Sequence, residues 1–139
     1  RIVDLVSNNE SSLEGADAIV QPKWSPDGRH ITGVALSPPR ILLFDNESRA
    51  WEELAAAPGV RYQGWSPDGQ YVYYVTSEPA SEMYRIRMAD RSVERVFSLR
   101  NQRWVYGIGG LWIGIDAEGS PLFLRDTSVY HIYALELET

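Results

Sequence analysis

Chemistry in a protein needs nucleophiles, bases, metal ligands or paired carboxylates brought together, and these 139 residues offer few of each. There is no Cys, which excludes thiolate nucleophiles, thiolate metal sites and disulfides and leaves the redox compartment open. The two histidines, His30 and His131, are about a hundred positions apart, each in or beside a strand-like run. A metal centre wants more convergent ligands than that. Ser25 and Ser66 occupy S-P-D-G turns, and no G-x-S-x-G is present to place a serine on a strained elbow next to a base. Glu52-Glu53, and Asp45 with Glu47, fall at turn positions where solvation accounts for them. Asp27 and Asp68 recur because their turns require them. No calcium loop of spaced Asp and Asn is present. The Gly-rich stretch from Gly107 to Gly114 has no Lys-Ser/Thr and leads into no helical pattern, so it is not a phosphate loop. The expectation is a chain with no catalytic residue, no metal and no cofactor.

Charge narrows the partners. Thirteen basic residues, only one of them Lys, stand against nineteen acidic ones, for a net charge of -6. A phosphate backbone rewards clustered Lys and Arg, so a nucleic-acid partner is not expected. An acidic surface mainly confers solubility. No apolar run approaches the roughly 20 residues of a membrane span, so this segment is not expected to insert into a membrane, and no signal peptide is visible. The chain opens with Arg1 directly in a strand-like run and reads as a piece of a longer polypeptide. Its compartment stays open, with the balance toward an extracytoplasmic one.

The elements that carry these residues are strands. An aromatic fraction of 12%, with five Trp and eight Tyr, suits half-buried pleated surfaces. Trp24-Ser25-Pro26-Asp27-Gly28 recurs 41 residues later as Trp65-Ser66-Pro67-Asp68-Gly69. Within this turn, Ser bonds back to the turn backbone and Pro presets φ near −65°. Asp suits the third position, and Gly supplies the left-handed residue that returns the chain. Each WSPDG leads into an alternating run, 29–35 and 70–76. Third strands follow at Ile41-Leu42-Leu43-Phe44-Asp45 and Met83-Tyr84-Arg85-Ile86-Arg87, and fourth strands at 51–54 and 93–96.

Four strands per unit of about 40–50 residues is a propeller blade. The fold class is therefore all-β: a partial β-propeller of roughly three four-stranded antiparallel blades, an open array or one closed by oligomerisation. Its units are 1–15, the end of a blade; 16–56 and 57–99, two full blades; and 100–139, a last, degenerate blade. In that last unit Asp116-Ala117-Glu118-Gly119 replaces S-P-D-G, with Ile115 in place of Trp. Leu122-Phe123-Leu124 and Ile132-Tyr133-Ala134-Leu135 are its second and third strands. The stretch 103–114 reads as an inner strand whose glycines permit close packing. Contact candidates at the entrances of inner strands are Arg61, Tyr62, Arg103, Trp104 and Tyr106, because Arg and aromatic residues anchor interfaces. The competing reading packs these aromatics between neighbouring blades.

The WSPDG-plus-strand repeat resembles the WD40-like (PD40-type) repeats of TolB-like propellers, and it covers nearly the whole chain. Leu54, Val93-Glu94-Arg95-Val96, the run from Pro121 to Ser128 and Ile132-Tyr133-Ala134-Leu135 resemble the C-terminal propeller of acidobacterial kinase or winged-helix regulatory proteins. The third unit departs from the pattern in lacking Trp, Ser and Pro at its turn. The resemblance implies a non-catalytic protein-interaction or sensory module, the C-terminal part of a larger bacterial regulator, with a protein or peptide partner. The alternatives are the substrate-gating propeller portion of a serine peptidase of prolyl-oligopeptidase type, or a TolB-like periplasmic scaffold. A further expectation comes from counting strands: 2–6 of one copy pair with the last sheet of another, formed by Leu122-Phe123-Leu124 and Ile132–Leu135, as a homo-oligomer that completes the propeller.

Overall fold

The computed structural model describes residues 1–15, 17–77, 81–100, 102–107, 110–111 and 113–129. Every described element is a strand. In chain order these are β1 (Ile2–Val3), β2 (Glu10–Ser11), β3 (Ile19–Trp24), β4 (His30–Leu36), β5 (Pro39–Asp45), β6 (Ala50–Ala56) and β7 (Val60–Trp65). After them come β8 (Tyr71–Thr76), β9 (Glu82–Arg87), β10 (Val93–Ser98), β11 (Tyr106–Gly107), β12 (Gly110–Leu111), β13 (Ile113–Ile115) and β14 (Pro121–Phe123). Two four-stranded antiparallel sheets, β3-β4-β5-β6 and β7-β8-β9-β10, have simple up-and-down order, and β1-β2, β11-β12 and β13-β14 are two-stranded. The third strand expected at Ile132–Leu135, and His131, lie outside the described residues.

The turn chemistry repeats atom for atom. The Ser25 hydroxyl accepts from the His30 amide at 2.8 Å and donates to Asp27 Oδ1 at 2.5 Å, and Asp27 Oδ1 accepts from the Arg29 amide at 3.0 Å. Ser66, Asp68, Gln70 and Tyr71 reproduce these bonds at 2.9, 2.6 and 3.0 Å. Gly28 and Gly69 sit at φ 71° and 70°, where a side chain would be strained. The degenerate turn closes by other means. Asp116 Oδ1 accepts from the Glu118 and Ser120 amides at 3.1 and 2.7 Å, so one carboxylate does what Ser and Asp share elsewhere.

Stacked sheets bury both faces of a central strand, which is why Tyr71-Val72-Tyr73-Tyr74-Val75 reads as a continuous apolar run and not as a strict alternation. Between the two full sheets, Val34, Ile41, Leu43 and Leu54 meet Val60, Val72, Tyr74 and Ile86. On the other face of the second sheet, Tyr73, Val75, Met83 and Leu99 pack against Trp104, Ile113, Ile115 and Phe123. Fully burying a side chain such as Ile41, Val72 or Ile86, each 0% exposed, stabilises by about 1.5–3 kcal/mol relative to leaving it in water.

The stretch 103–114 is not one strand. Bonds from the Val105 amide to the Leu124 carbonyl and from the Asp126 amide to the Arg103 carbonyl pair 103–105 with 124–126. β13 then pairs Ile113 with Phe123, the very next position along that strand. An inner strand is thus interrupted between Val105 and Ile113, and in the interruption β11 and β12 pair antiparallel with each other. The other inner strands break register in the same region, between Val20 and Lys23 and between Val60 and Tyr62. A bulge in two repeats has become a longer interruption in the third.

Candidate functional site

The inner strands and their turns converge on an open cleft of about 290 Å³. Lys23 and Trp24 come from the end of β3, Tyr62 and Trp65 from β7, Pro67 from the second turn and Ile115 from the end of β13. β-Pleating places Tyr62 and Gly64 on one face, and the Tyr62 ring lies across Gly64, where a Cβ would stand 2.8 Å from the Tyr62 hydroxyl oxygen. Gly64 is therefore needed for that ring position. Burial pushes the Tyr62 phenol up from its ordinary value, so it stays a neutral hydroxyl at neutral pH.

Trp65 is partly buried. Its Nε1 donates to the Lys23 carbonyl at 3.3 Å and its ring stacks on His30 with centroids 6.3 Å apart. Trp24, the same residue one repeat earlier, is 48% exposed. Lys23 is the sole lysine of the sequence, and among the described residues no carboxylate pairs with it. The cleft therefore offers two indoles, a neutral phenol, proline rings and one ammonium group. Such a surface can hold an extended peptide segment by ring contacts and one charge.

A second cleft of about 260 Å³ lies between the Ser66 turn and the Asp116 turn. Its residues are engaged with one another. Arg85 sits 4.4 Å over the Tyr71 ring and is paired with Glu94, whose hydrogen bond raises the guanidinium further. The Tyr73 hydroxyl donates to the Gly119 carbonyl at 3.3 Å. Asp27 and Asp68 are held below the usual carboxylate range, first by the Ser25 and Ser66 hydroxyls and then by turn amides.

The candidates from sequence scatter. Tyr62 is in the cleft. Arg61 is exposed beside it, its carbonyl accepting from Gln21 Nε2 at 3.0 Å. Trp104 Nε1 donates to the Leu99 carbonyl at 2.9 Å, its ring meets Phe123 of the neighbouring strand at 5.3 Å, and it packs on the Tyr73, Val75, Met83 and Leu99 cluster of the second sheet, an inter-sheet role. Arg103 pairs with Asp126 at 3.1 Å. Tyr106 sits in β11 within the interruption, and its side chain is outside the described part. Sequence reasoning misses Lys23, Trp24 and Trp65, because both tryptophans fall inside the repeated WSPDG motif and read as part of the fold. The signal that marks them is the odd lysine directly before the first of them.

No family model matches the sequence, and no curated protein matches it. Among solved structures it is similar to TolB from Acinetobacter baumannii, with TM-score 0.55 and 23% identity over 78% of this chain and 32% of that one. It is similar also to the Pyrococcus horikoshii acylaminoacyl peptidase, with TM-score 0.54 and 15% identity over 78% of this chain and 25% of that one. A third is the β-propeller domain of the Trilobed protease from Pyrococcus furiosus, described as having an open velcro topology. It gives TM-score 0.53 and 16% identity over 78% of this chain and 44% of that one. The chain thus spans less than half the length of each of these three structures. With two four-stranded antiparallel sheets, parts of further ones and these neighbours, it has an all-β, partial β-propeller fold similar to that of TolB.

Proposed function

We propose that this propeller segment is a non-catalytic interaction or sensory module, part of a larger bacterial regulatory protein, and that it grips an extended segment of a protein partner in the cleft between Trp24 and Tyr62. The observation that carries this reading is Trp24, an indole 48% exposed beside the lone Lys23 where three inner strands meet. Tryptophan and tyrosine at the centre of a concave patch are the usual anchors of protein contacts.

The test is a random-peptide display selection on the immobilised chain. Enriched peptides should share a motif and should quench Trp fluorescence on binding. Trp24→Ala should weaken them by about 2 kcal/mol, roughly 30-fold, the scale of an interface hot spot. Binders that ignore Trp24→Ala and Tyr62→Ala, or no enrichment at all, would overturn the reading. Two of the similar structures are a peptidase and a protease domain, which keeps a second reading in play: a propeller that gates substrate access to a serine peptidase. A G-x-S-x-G hydrolase domain in the same polypeptide would favour that reading, and envelope-protein partners would favour a TolB-like scaffold.

A further inference from the structure

The inner strands carry charge of one sign. β3, β7 and the interrupted strand at 103–105 and 113–115 contain Lys23, Arg61 and Arg103 and no Asp or Glu, in a chain whose nineteen acidic residues outnumber thirteen basic ones. The turn carboxylates that follow these strands are already committed, because Asp27, Asp68 and Asp116 each accept from amides of their own turns. Arg103 is neutralised by Asp126 at 3.1 Å. Away from the inner strands, Arg85, Arg91 and Arg100 are likewise paired, with Glu94, Glu52 and Glu82.

Lys23 and Arg61 differ from these. Lys23 stands opposite Thr32 in the ladder, so the two share a face of the sheet. The Thr32 hydroxyl donates across the sheet boundary to Gln63 Oε1 at 2.7 Å. The lysine therefore lies on the side of β3 turned to the second sheet, in the wall that Tyr62, Gly64 and Trp65 complete. Arg61 is held level with Gln21, two positions before Lys23, by the bond from Gln21 Nε2 to its carbonyl at 3.0 Å. Both side chains are exposed, and among the described residues neither pairs with a carboxylate. The Tyr62 hydroxyl, kept protonated by burial, adds a donor to the same wall. Two strand positions span roughly 7 Å, which is also the spacing of side chains along one side of an extended peptide.

We propose that the extended segment gripped in this cleft is acidic: one carboxylate meets the Lys23 ammonium, and a second, two residues along the segment, meets the Arg61 guanidinium. This rests on the peptide-binding reading of the cleft and adds the chemistry that selects the partner. Positive charge on the inner strands of an otherwise acidic chain focuses the field, so a negatively charged segment is repelled by the rest of the surface and drawn to this one place. Charge complementarity of this kind decides which segment is accepted more than how tightly it is held.

Peptides enriched by display on the chain should carry Asp or Glu at a fixed position, with a second at the next position but one. Each peptide is then made in its acidic form and with the matching amides, Asn or Gln, and titrated by Trp fluorescence. The acidic form should bind roughly tenfold more tightly, the scale of a hydrogen bond to a charged group, and added salt should narrow the gap. Lys23→Met keeps the stem of the side chain and removes the charge. Since no described residue pairs with that ammonium, the circular dichroism should be unchanged while acid and amide become equal at one peptide position. Arg61→Gln should do the same at the other. Lys23→Glu should turn the selection toward peptides with Lys or Arg there. Enriched peptides that lack acidic residues overturn the proposal and leave a peptide-binding cleft. So do acid and amide forms of equal affinity on the parent chain, and a Lys23→Met chain that weakens both forms alike. No enrichment at all removes the proposal and the peptide-binding reading together.

Discussion

Gln63 is 0% exposed and clamps the two full sheets together, so replacing it with leucine tests whether a polar contact governs their cohesion. Its Oε1 accepts from the Thr32 hydroxyl at 2.7 Å and its Nε2 donates to the Gln21 carbonyl at 2.6 Å, both across the sheet boundary. Gln21 sits at φ 54° in the register break of β3, and its own Nε2 returns a bond to the Arg61 carbonyl. Gln63→Leu removes two hydrogen bonds of about 0.5–1.5 kcal/mol each and leaves the Gln21 carbonyl facing an apolar group, a further ~1–3 kcal/mol. Thr32 is not orphaned, because its hydroxyl also reaches the Lys23 carbonyl at 3.3 Å. Leucine regains part of this by apolar burial, so the expected loss is about 2–4 kcal/mol. At a urea slope of about 1–3 kcal/mol per molar, the midpoint falls by roughly 1–2 M. Urea melts followed by far-ultraviolet circular dichroism and by the fluorescence of the five tryptophans, Trp65 at the boundary among them, measure it. A cycle with Thr32→Val should return a coupling of about 1 kcal/mol. A Gln63→Leu protein within 1 kcal/mol of the parent would refute the reasoning and assign cohesion to the apolar contacts alone.

Three further outcomes follow from the turns and the core. Ser66→Ala deletes the hydroxyl that accepts from the Tyr71 amide and should cost about 1–2 kcal/mol, read from the urea midpoint. The Asp27 and Asp68 carboxyls are lowered in the folded chain, so the stability they confer is present above their ordinary value and is lost as pH falls below about 4. Acid melts of Asp68→Asn should accordingly show a flatter pH dependence than the parent. The Tyr74 phenol is pushed up to about 12, by burial first and by Tyr84 second. The stability it confers is full below the ordinary tyrosine value of about 10 and is lost as pH rises from there through 12. Ultraviolet phenolate absorbance should show, beside the raised Tyr62, a late-titrating tyrosine that disappears in Tyr74→Phe.

The backbone of the repeats was legible because WSPDG is local chemistry. Hydroxyl, carboxylate, proline ring and glycine φ all act within five residues, and no distant partner is needed to read them. The same logic reached the degenerate turn only in part. The alignment placed Asp116 at the serine position, but that its carboxylate alone would bind both turn amides is a matter of atoms. The run from Arg103 to Gly114 misled for a different reason. Lacking charge after Arg103, it reads as one buried strand, yet the ladder shows the interruption only through partners twenty residues further on, at Leu124 and Asp126. Arg103 and Trp104 have the residue types of interface anchors, and their pairing with Asp126 and Phe123 is likewise invisible without the third dimension.

Trp24 and Trp65 show why a repeat can fix the fold and still conceal the site. Both follow the same strand into the same turn, and their immediate sequence, Ser-Pro-Asp-Gly, is identical. Trp65 finds His30 and the Lys23 carbonyl of the sheet before it. Among the described residues upstream of Trp24 are the strands β1 and β2, and the segment after β2 reaches the far edge of its sheet through the bond from Trp51 Nε1 to the Glu14 carbonyl. The indole near the inner edge is left 48% exposed. Burial in a stacked array thus belongs to a residue's neighbour as much as to the residue, because each blade contacts only the next.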